Sequence, residues 1–206
     1  PYAALGQPSD PSNMPEQRAA AVAQAVLGLG YSSRINQEVR IKRGLSYGAS
    51  STAEALPGGG LLSASAQTKH GSAAEVAQLL RAEILRLAGE EVPAVELAAR
   101  QALLVGDFGR ALETTAGLAA VAADQLQRRR ELAELALLPA ELQAVDAARV
   151  RGFAASYWKP ERLQTVIVAD LKEAGDALTR QFPEAWLIRA EELDLGSANL
   201  RRPGRK

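Results

Sequence analysis

One short stretch breaks the helical spacing that dominates this chain, and it dictates what the rest must supply. From Leu61 to Lys69 apolar and polar residues alternate, with Leu62, Ala64 and Ala66 on one side and Ser63, Ser65 and Gln67 on the other. This is the period-two pattern of a strand with one buried face. A strand cannot satisfy its backbone groups alone, so partners must come from elsewhere in the chain. Residues 2–6 read as one, ahead of the Pro-, Ser-, Asp- and Asn-containing loop Gln7 to Asn13. Residues 45–55 read as another, joined to the alternating stretch by a reversal at Pro57-Gly58-Gly59-Gly60. Leu163 to Ala169 reads as a buried strand.

Helices fill the space between. Pro15 suits the first turn of a helix on which Ala19, Val22, Ala23, Val26 and Leu27 recur at three- and four-residue spacing, with Gly28 and Gly30 at its end. A second is expected from Ser32 to Lys42, capped by Ser32 or Ser33 and stopped by Gly44. Val76, Leu80, Ile84 and Leu87 form an apolar stripe, and Pro93 starts a helix carrying Val95, Ala98, Ala102 and Val105. A further helix is expected over residues 112–132. Pro139 opens another with Val150, Phe153 and Tyr157 on one face, ended by Pro160, and a short one follows from Leu171. Strands early and late around a helical block predict an α+β fold, a mixed, largely antiparallel sheet covered on one face by helices. The expected division is one domain over residues 1–188 and an irregular basic tail over 189–206. A chain that opens on Pro1 and Tyr2-Ala3-Ala4-Leu5 is expected to be cut from something longer on its N-terminal side.

Charge and composition exclude several functions. Lys plus Arg and Asp plus Glu both number 24, so no net field draws the chain to nucleic acid or to a membrane surface. The run Arg128-Arg129-Arg130 and the basic residues after Leu200 have no interleaved aromatics to stack on bases, and read as solvated surface. No apolar run approaches the roughly 20 residues of a spanning helix, and no signal peptide is evident. With no cysteine, disulfides and thiolate metal sites are excluded. That composition leaves bacterial periplasm and cytoplasm equally open.

Candidate chemistry is sparse. A hydrolytic zinc site normally uses at least two His or Cys ligands, and His70 is the sole histidine. Its place at a strand end beside Lys69 and Gly71 reads as an exposed turn residue. Gly44-Leu45-Ser46-Tyr47-Gly48 matches the G-x-S-x-G of serine hydrolases, but that elbow needs a strand before the serine and a helix after it. Here the order is reversed. The glycines at 58–60 lack the Lys-Ser/Thr of a phosphate loop and suit a hairpin turn instead. Asp107, Glu113 and the other helical carboxylates are spread at surface spacing.

The segment from Val26 to Gly48 is distinctive as a unit. A helix ends at Leu27-Gly28-Leu29-Gly30, a new one starts at Ser33-Arg34-Ile35, and Arg40-Ile41-Lys42-Arg43-Gly44-Leu45-Ser46-Tyr47 leads into a strand. It resembles the second-domain signature of the insulinase (pitrilysin-type) zinc metallopeptidases, a family that includes bacterial proteases similar to the mitochondrial processing peptidase. Arg40, Lys42, Gly44, Leu45 and Tyr47 fall on the pattern, while Leu29 departs from its usual glycine. Looser likeness extends over residues 2 to about 180, including Val166 to Asp170, where Ala169-Asp170 replaces the family's frequent Gly-Asp.

The resemblance implies a LuxS/processing-peptidase-like sandwich. It also implies that the chain is the half lacking His-x-x-Glu-His, with no catalytic or metal-binding residue of its own. Zinc is then expected in a homologous partner domain, on the same polypeptide or a separate subunit, with a peptide substrate enclosed between the two. The family's non-metal half supplies an arginine and a tyrosine seven positions apart, which places substrate-binding and transition-state support on Arg40 and Tyr47. A turn at Gly44 lets both point to one side, and a guanidinium and a phenol are directional donors for a carbonyl or an oxyanion. The alternatives are that Arg40 pairs with a surface carboxylate while Tyr47 packs at a strand edge, that the fold is a catalytically silent scaffold like the respiratory-complex core subunits, or that it is a free-standing peptide-binding module.

Overall fold

A computed structural model describes residues 2–8, 14–56, 59–128 and 130–200. Its strands are β1 (Tyr2–Pro8), β2 (Ala49–Leu56), β3 (Gly59–Gln67) and β4 (Gln164–Val168), in one sheet of order β2-β3-β1-β4. The alternating stretch sits second in that order and collects the partners it needs. Every pairing is antiparallel, with Ala49 opposite Ala66, Ala3 opposite Ala66 and Ala3 opposite Ile167. The expected mixed sheet is thus antiparallel throughout the described strands. Consecutive strands β2 and β3 meet with Leu56 opposite Gly59, and Pro57 and Gly58 of the expected reversal lie outside the described residues.

The helices are α1 (Met14–Gly28), α2 (Arg34–Asn36, running into a π-helical turn over Gln37–Ile41), α3 (Ala73–Gly89), α4 (Ala94–Leu112), α5 (Thr115–Gln127), α6 (Leu138–Gln143), α7 (Ala147–Tyr157) and α8 (Leu171–Gln181). The core lies between the sheet and α1, α3 and α7. Leu62, Ala64 and Ala66 of β3 meet Val22, Val26 and Leu27 of α1, Val76, Leu80, Ile84 and Leu87 of α3, and Val150 and Phe153 of α7. Trp158 closes its floor, 1% exposed and edge-on to Phe153 with centroids 5.5 Å apart. Burial of one such large side chain is worth roughly 1.5–3 kcal/mol. The stripe and the alternation read from the sequence are these contact faces.

Several boundaries differ from expectation for local reasons. Residues 45–48 form a loop, and β2 starts only at Ala49. The helix expected over 112–132 is α5, shortened to Thr115–Gln127, and the Thr114 side chain caps its start by accepting from Gly117 N–H at 3.0 Å. The helix expected from Pro139 divides into α6 and α7, with Asp146 capping α7 by accepting from Arg149 N–H. The strand near residue 166 is not buried. As an edge strand paired only with β1, β4 leaves Val166 59% and Val168 63% exposed. Helices cover one sheet face. Ser50, Thr52 and Gln67 lie exposed on the other.

Gly28 sets the distance between α1 and β2. A Cβ there would overlap the Ser51 backbone nitrogen and hydroxyl, so only glycine permits this approach. Gln24 Nε2 donates to the Ser51 carbonyl at 2.7 Å, covering the β2 edge with α1. Among the described residues no helix is long and apolar enough to cross a membrane.

Candidate functional site

The segment singled out by its sequence forms one ledge at the end of the sheet where β2 begins and β3 ends. Ser33 takes the N-cap position of α2, but its hydroxyl turns back to donate to the Gly30 carbonyl at 2.8 Å and so fastens the α1 exit. Gly30 has φ +79°, the left-handed conformation that glycine accepts freely. Downstream, Lys42 N–H reaches the Gln37 carbonyl at 2.9 Å, the wide spacing of a π turn. Gly44, at φ +61°, then ends the helix. Its N–H donates to the Arg40 carbonyl and the Leu45 N–H to the Val39 carbonyl, both at 2.9 Å. This closure is one residue wider than the usual Schellman pairing, as a π turn requires.

Two side chains hold the loop that follows. Asn36, buried, donates to the Tyr31 carbonyl at 2.6 Å and accepts from Ala49 N–H at 3.2 Å, so one amide fixes both the α1–α2 turn and the start of β2. Thr68, just past β3, donates its hydroxyl to the Leu45 carbonyl. Tyr47 projects from this pinned loop 96% exposed.

The cations of the segment divide sharply. Arg34 is buried and chelates Glu96 through Nε at 2.9 Å and Nη2 at 2.8 Å. Lys42 and Arg43 stay exposed and both converge on Glu38, and Arg43 Nε also lies 4.0 Å from Glu75. The hydrogen bond from Lys42, reinforced by Arg43, holds the Glu38 carboxyl below its ordinary value of 4.5 against the opposing effect of burial. Arg40 alone among these four has no acid partner among the described residues. Its guanidinium carbon instead lies 5.0 Å from the centre of the Tyr31 ring, which is itself 62% exposed. Such a stack is worth about 0.5–1 kcal/mol at an exposed site and orients the guanidinium while leaving its N–H donors to solvent.

Arg40 and Tyr47 lie on one continuous segment, and the aromatic that Arg40 touches is Tyr31. The sequence reading missed Tyr31 and Asn36. An aromatic in the turn Gly30-Tyr31-Ser32 was the only available signal for the first, and the second was indistinguishable from any polar helix residue. The serine-hydrolase pattern has no machinery. Ser46 donates to the Gly48 carbonyl at 2.7 Å and accepts from Gly48 N–H at 3.1 Å, a closed local turn. His70 is half-buried rather than an exposed turn residue, and its Nδ1 accepts from Asp170 N–H at 2.9 Å, tying the end of β3 to the start of α8. Among the described residues no three His, Cys, Asp or Glu side chains gather as metal ligands.

Residues 1–104 match the family described as the peptidase M16 inactive domain. The chain belongs to that family. The resemblance carried by Val26 to Gly48 thus names the non-metal half correctly. No curated protein matches the chain. Among solved structures, a protease from Helicobacter pylori is 24% identical with a TM-score of 0.74, over 82% of this chain and 41% of that one. The inactive peptidase domain of a proposed zinc protease from Bordetella parapertussis is 14% identical with a TM-score of 0.69, over 80% of this chain and 90% of its own. A chain of complex III2 from Candida albicans is 14% identical with a TM-score of 0.69, over 84% of this chain and 43% of that one. The M16 inactive domain is therefore similar in fold to proteins of two kinds, and it spans about two fifths of the Helicobacter pylori protein.

Proposed function

We propose that this M16 inactive domain is the non-catalytic half of a zinc metallopeptidase, completing a peptide-binding cleft opposite a zinc-bearing His-x-x-Glu-His domain. Arg40 and Tyr47 present a guanidinium and a phenol to a substrate carbonyl and to the oxyanion that develops from it. The observation that supports this reading is the isolation of Arg40, which has no acid partner among the described residues and lies over Tyr31, while Tyr47, seven positions on, is 96% exposed. A surface pairing of Arg40 or an edge packing of Tyr47 would have occupied these groups. The Helicobacter pylori relative, of which the chain covers 41%, leaves length for a second domain. Zinc is expected in that half, because this chain's donor set does not fit a hydrolytic site.

The test reconstitutes the chain with its zinc-bearing half and compares wild type with Arg40→Ala and Tyr47→Phe. Both variants are expected to fold normally and to lose kcat/KM, because a donor aimed at a developing oxyanion is worth about 10²–10³ in rate. Unchanged kinetics in both defeats the assignment. A second reading, the same fold as a silent scaffold, is favoured by the likeness to the complex III2 chain. It expects no peptidase activity from the wild-type assembly.

A further inference from the structure

An exposed arginine samples many rotamers, and a donor that must meet a carbonyl or an oxyanion works only from a few of them. Held by nothing, Arg40 would have to be ordered each time a substrate enters. A guanidinium held in place beforehand contributes its hydrogen bond without that loss. The neighbouring cations are held by carboxylates, Arg34 by Glu96 and both Lys42 and Arg43 by Glu38. A carboxylate would steady Arg40 too, but it would occupy the N–H groups the reaction needs. An aromatic face does not. The Arg40 guanidinium carbon lies over the Tyr31 ring, 5.0 Å from its centre. The attraction acts on the face of the guanidinium plane, and the N–H groups, which lie in that plane, remain available.

Tyr31 is placed to give this support. The turn that carries it is fastened on both sides. Before it, Gly30 is fixed at φ +79° and its carbonyl accepts from the Ser33 N–H at 3.3 Å and the Ser33 hydroxyl at 2.8 Å. The carbonyl of Tyr31 itself accepts from the buried Asn36 amide at 2.6 Å. The ring on this fixed backbone is 62% exposed and takes no part in the hydrophobic core of the described residues. Core packing therefore gives no account of an aromatic at this position, whereas the contact with Arg40 does.

We propose that Tyr31 is a positioning residue, whose ring holds the Arg40 guanidinium ready to donate to the substrate carbonyl and its oxyanion. This rests on the peptidase reading of Arg40, and it gives Tyr31 no contact with the substrate.

The test is a double-mutant cycle in the chain reconstituted with its zinc-bearing half, comparing wild type, Tyr31→Leu, Tyr31→Phe, Arg40→Ala and the Tyr31→Leu, Arg40→Ala pair. Leucine keeps apolar bulk and loses the aromatic face, so Tyr31→Leu is expected to lower kcat/KM about five-fold, the rate equivalent of an exposed cation–π contact. Phenylalanine keeps the face, and Tyr31→Phe should match wild type. In the Arg40→Ala background, Tyr31→Leu should cause no further loss, an outcome that a merely structural role would not give. A second readout needs no turnover. With the chain's arginines isotopically labelled in the same assembly, the Arg40 side-chain protons should be displaced by the ring current in wild type and Tyr31→Phe and return to the position of a free arginine in Tyr31→Leu. An equal loss from Tyr31→Leu in both backgrounds would mean that Tyr31 acts independently of Arg40, and would overturn the proposal. Wild-type kinetics for Tyr31→Leu beside a slow Arg40→Ala would overturn it while leaving the peptidase reading intact. Wild-type kinetics for Arg40→Ala would remove the peptidase role of Arg40 and this proposal with it.

Discussion

Arg34 and Arg40 sit six positions apart on one short helix and have opposite fates. Arg34 points into the protein, loses its water and is clasped by Glu96 from α4, while Arg100 from the same helix reaches the Ser32 carbonyl beside it. Burial pushes the Arg100 guanidinium below its ordinary value, Glu96 opposes that, and neighbouring Arg34 adds to it. Arg40 points outward, touches only an aromatic face and keeps its donors free among the described residues. The same side chain serves as an anchor in one setting and as a presented group in the other. Anchoring consumes hydrogen-bonding capacity, whereas presentation requires that it be left unspent, so the two tasks fall to different residues.

That contrast can be broken from either side. The largest effect should come from Arg34→Ala. Removing one partner of a buried pair strands Glu96 and is expected to cost about 3–5 kcal/mol of stability, read from urea unfolding, and a loss within the range of a surface pair would contradict the anchoring role. Arg40→Ala should leave that unfolding curve in place and instead remove about 2.7–4 kcal/mol of transition-state stabilisation in the reconstituted peptidase. An equal fall in stability and activity for Arg40→Ala would erase the distinction. Asn36→Ala strands the Ala49 N–H and Tyr31 carbonyl and is expected to cost about 1–3 kcal/mol, with faster hydrogen exchange at Ala49. This variant separates the ledge's frame from the groups it displays.

The smallest effect concerns Glu38. Its folded value is lowered, first by Lys42, so the stability it contributes is fully present above its ordinary value of 4.5 and is lost as pH falls through the lowered one. Glu38→Gln should therefore be less stable than wild type near neutrality by under about 1 kcal/mol, the range of exposed pairs. The gap should close as the pH drops well below 4.5. Parallel acid titrations of unfolding would show it, and a gap independent of pH would mean that Lys42 and Arg43 are not held by this carboxylate.

Much of this architecture was legible in the linear chain because the determining signals are local. The stripe Val76, Leu80, Ile84, Leu87 and the alternation of Leu62, Ala64 and Ala66 each declare a buried face without knowing its neighbour. Gly44 announced the end of the helix that begins at Arg34, and Arg40 and Tyr47 became candidates through the resemblance of their segment to a family pattern. Other features were illegible for a common reason. The exposure of Val166 and Val168 depends on β4 having only one neighbour, which Leu-Gln-Thr-Val-Ile-Val-Ala cannot express. The split between α6 and α7 turned on the single capping carboxylate of Asp146 within a segment of helical composition.

By itself, then, the order of residues determined the periodicities, the turns that require glycine, the absence of a zinc ligand set and the family to which the chain belongs. Only the tertiary structure decided which arginine is buried and which is offered, because that depends on groups brought together from far along the chain. Glu96 reaches Arg34 across 62 positions, and Asp170 reaches His70 across 100. Desolvation and pairing are properties of the folded neighbourhood, and a residue's chemistry is settled there.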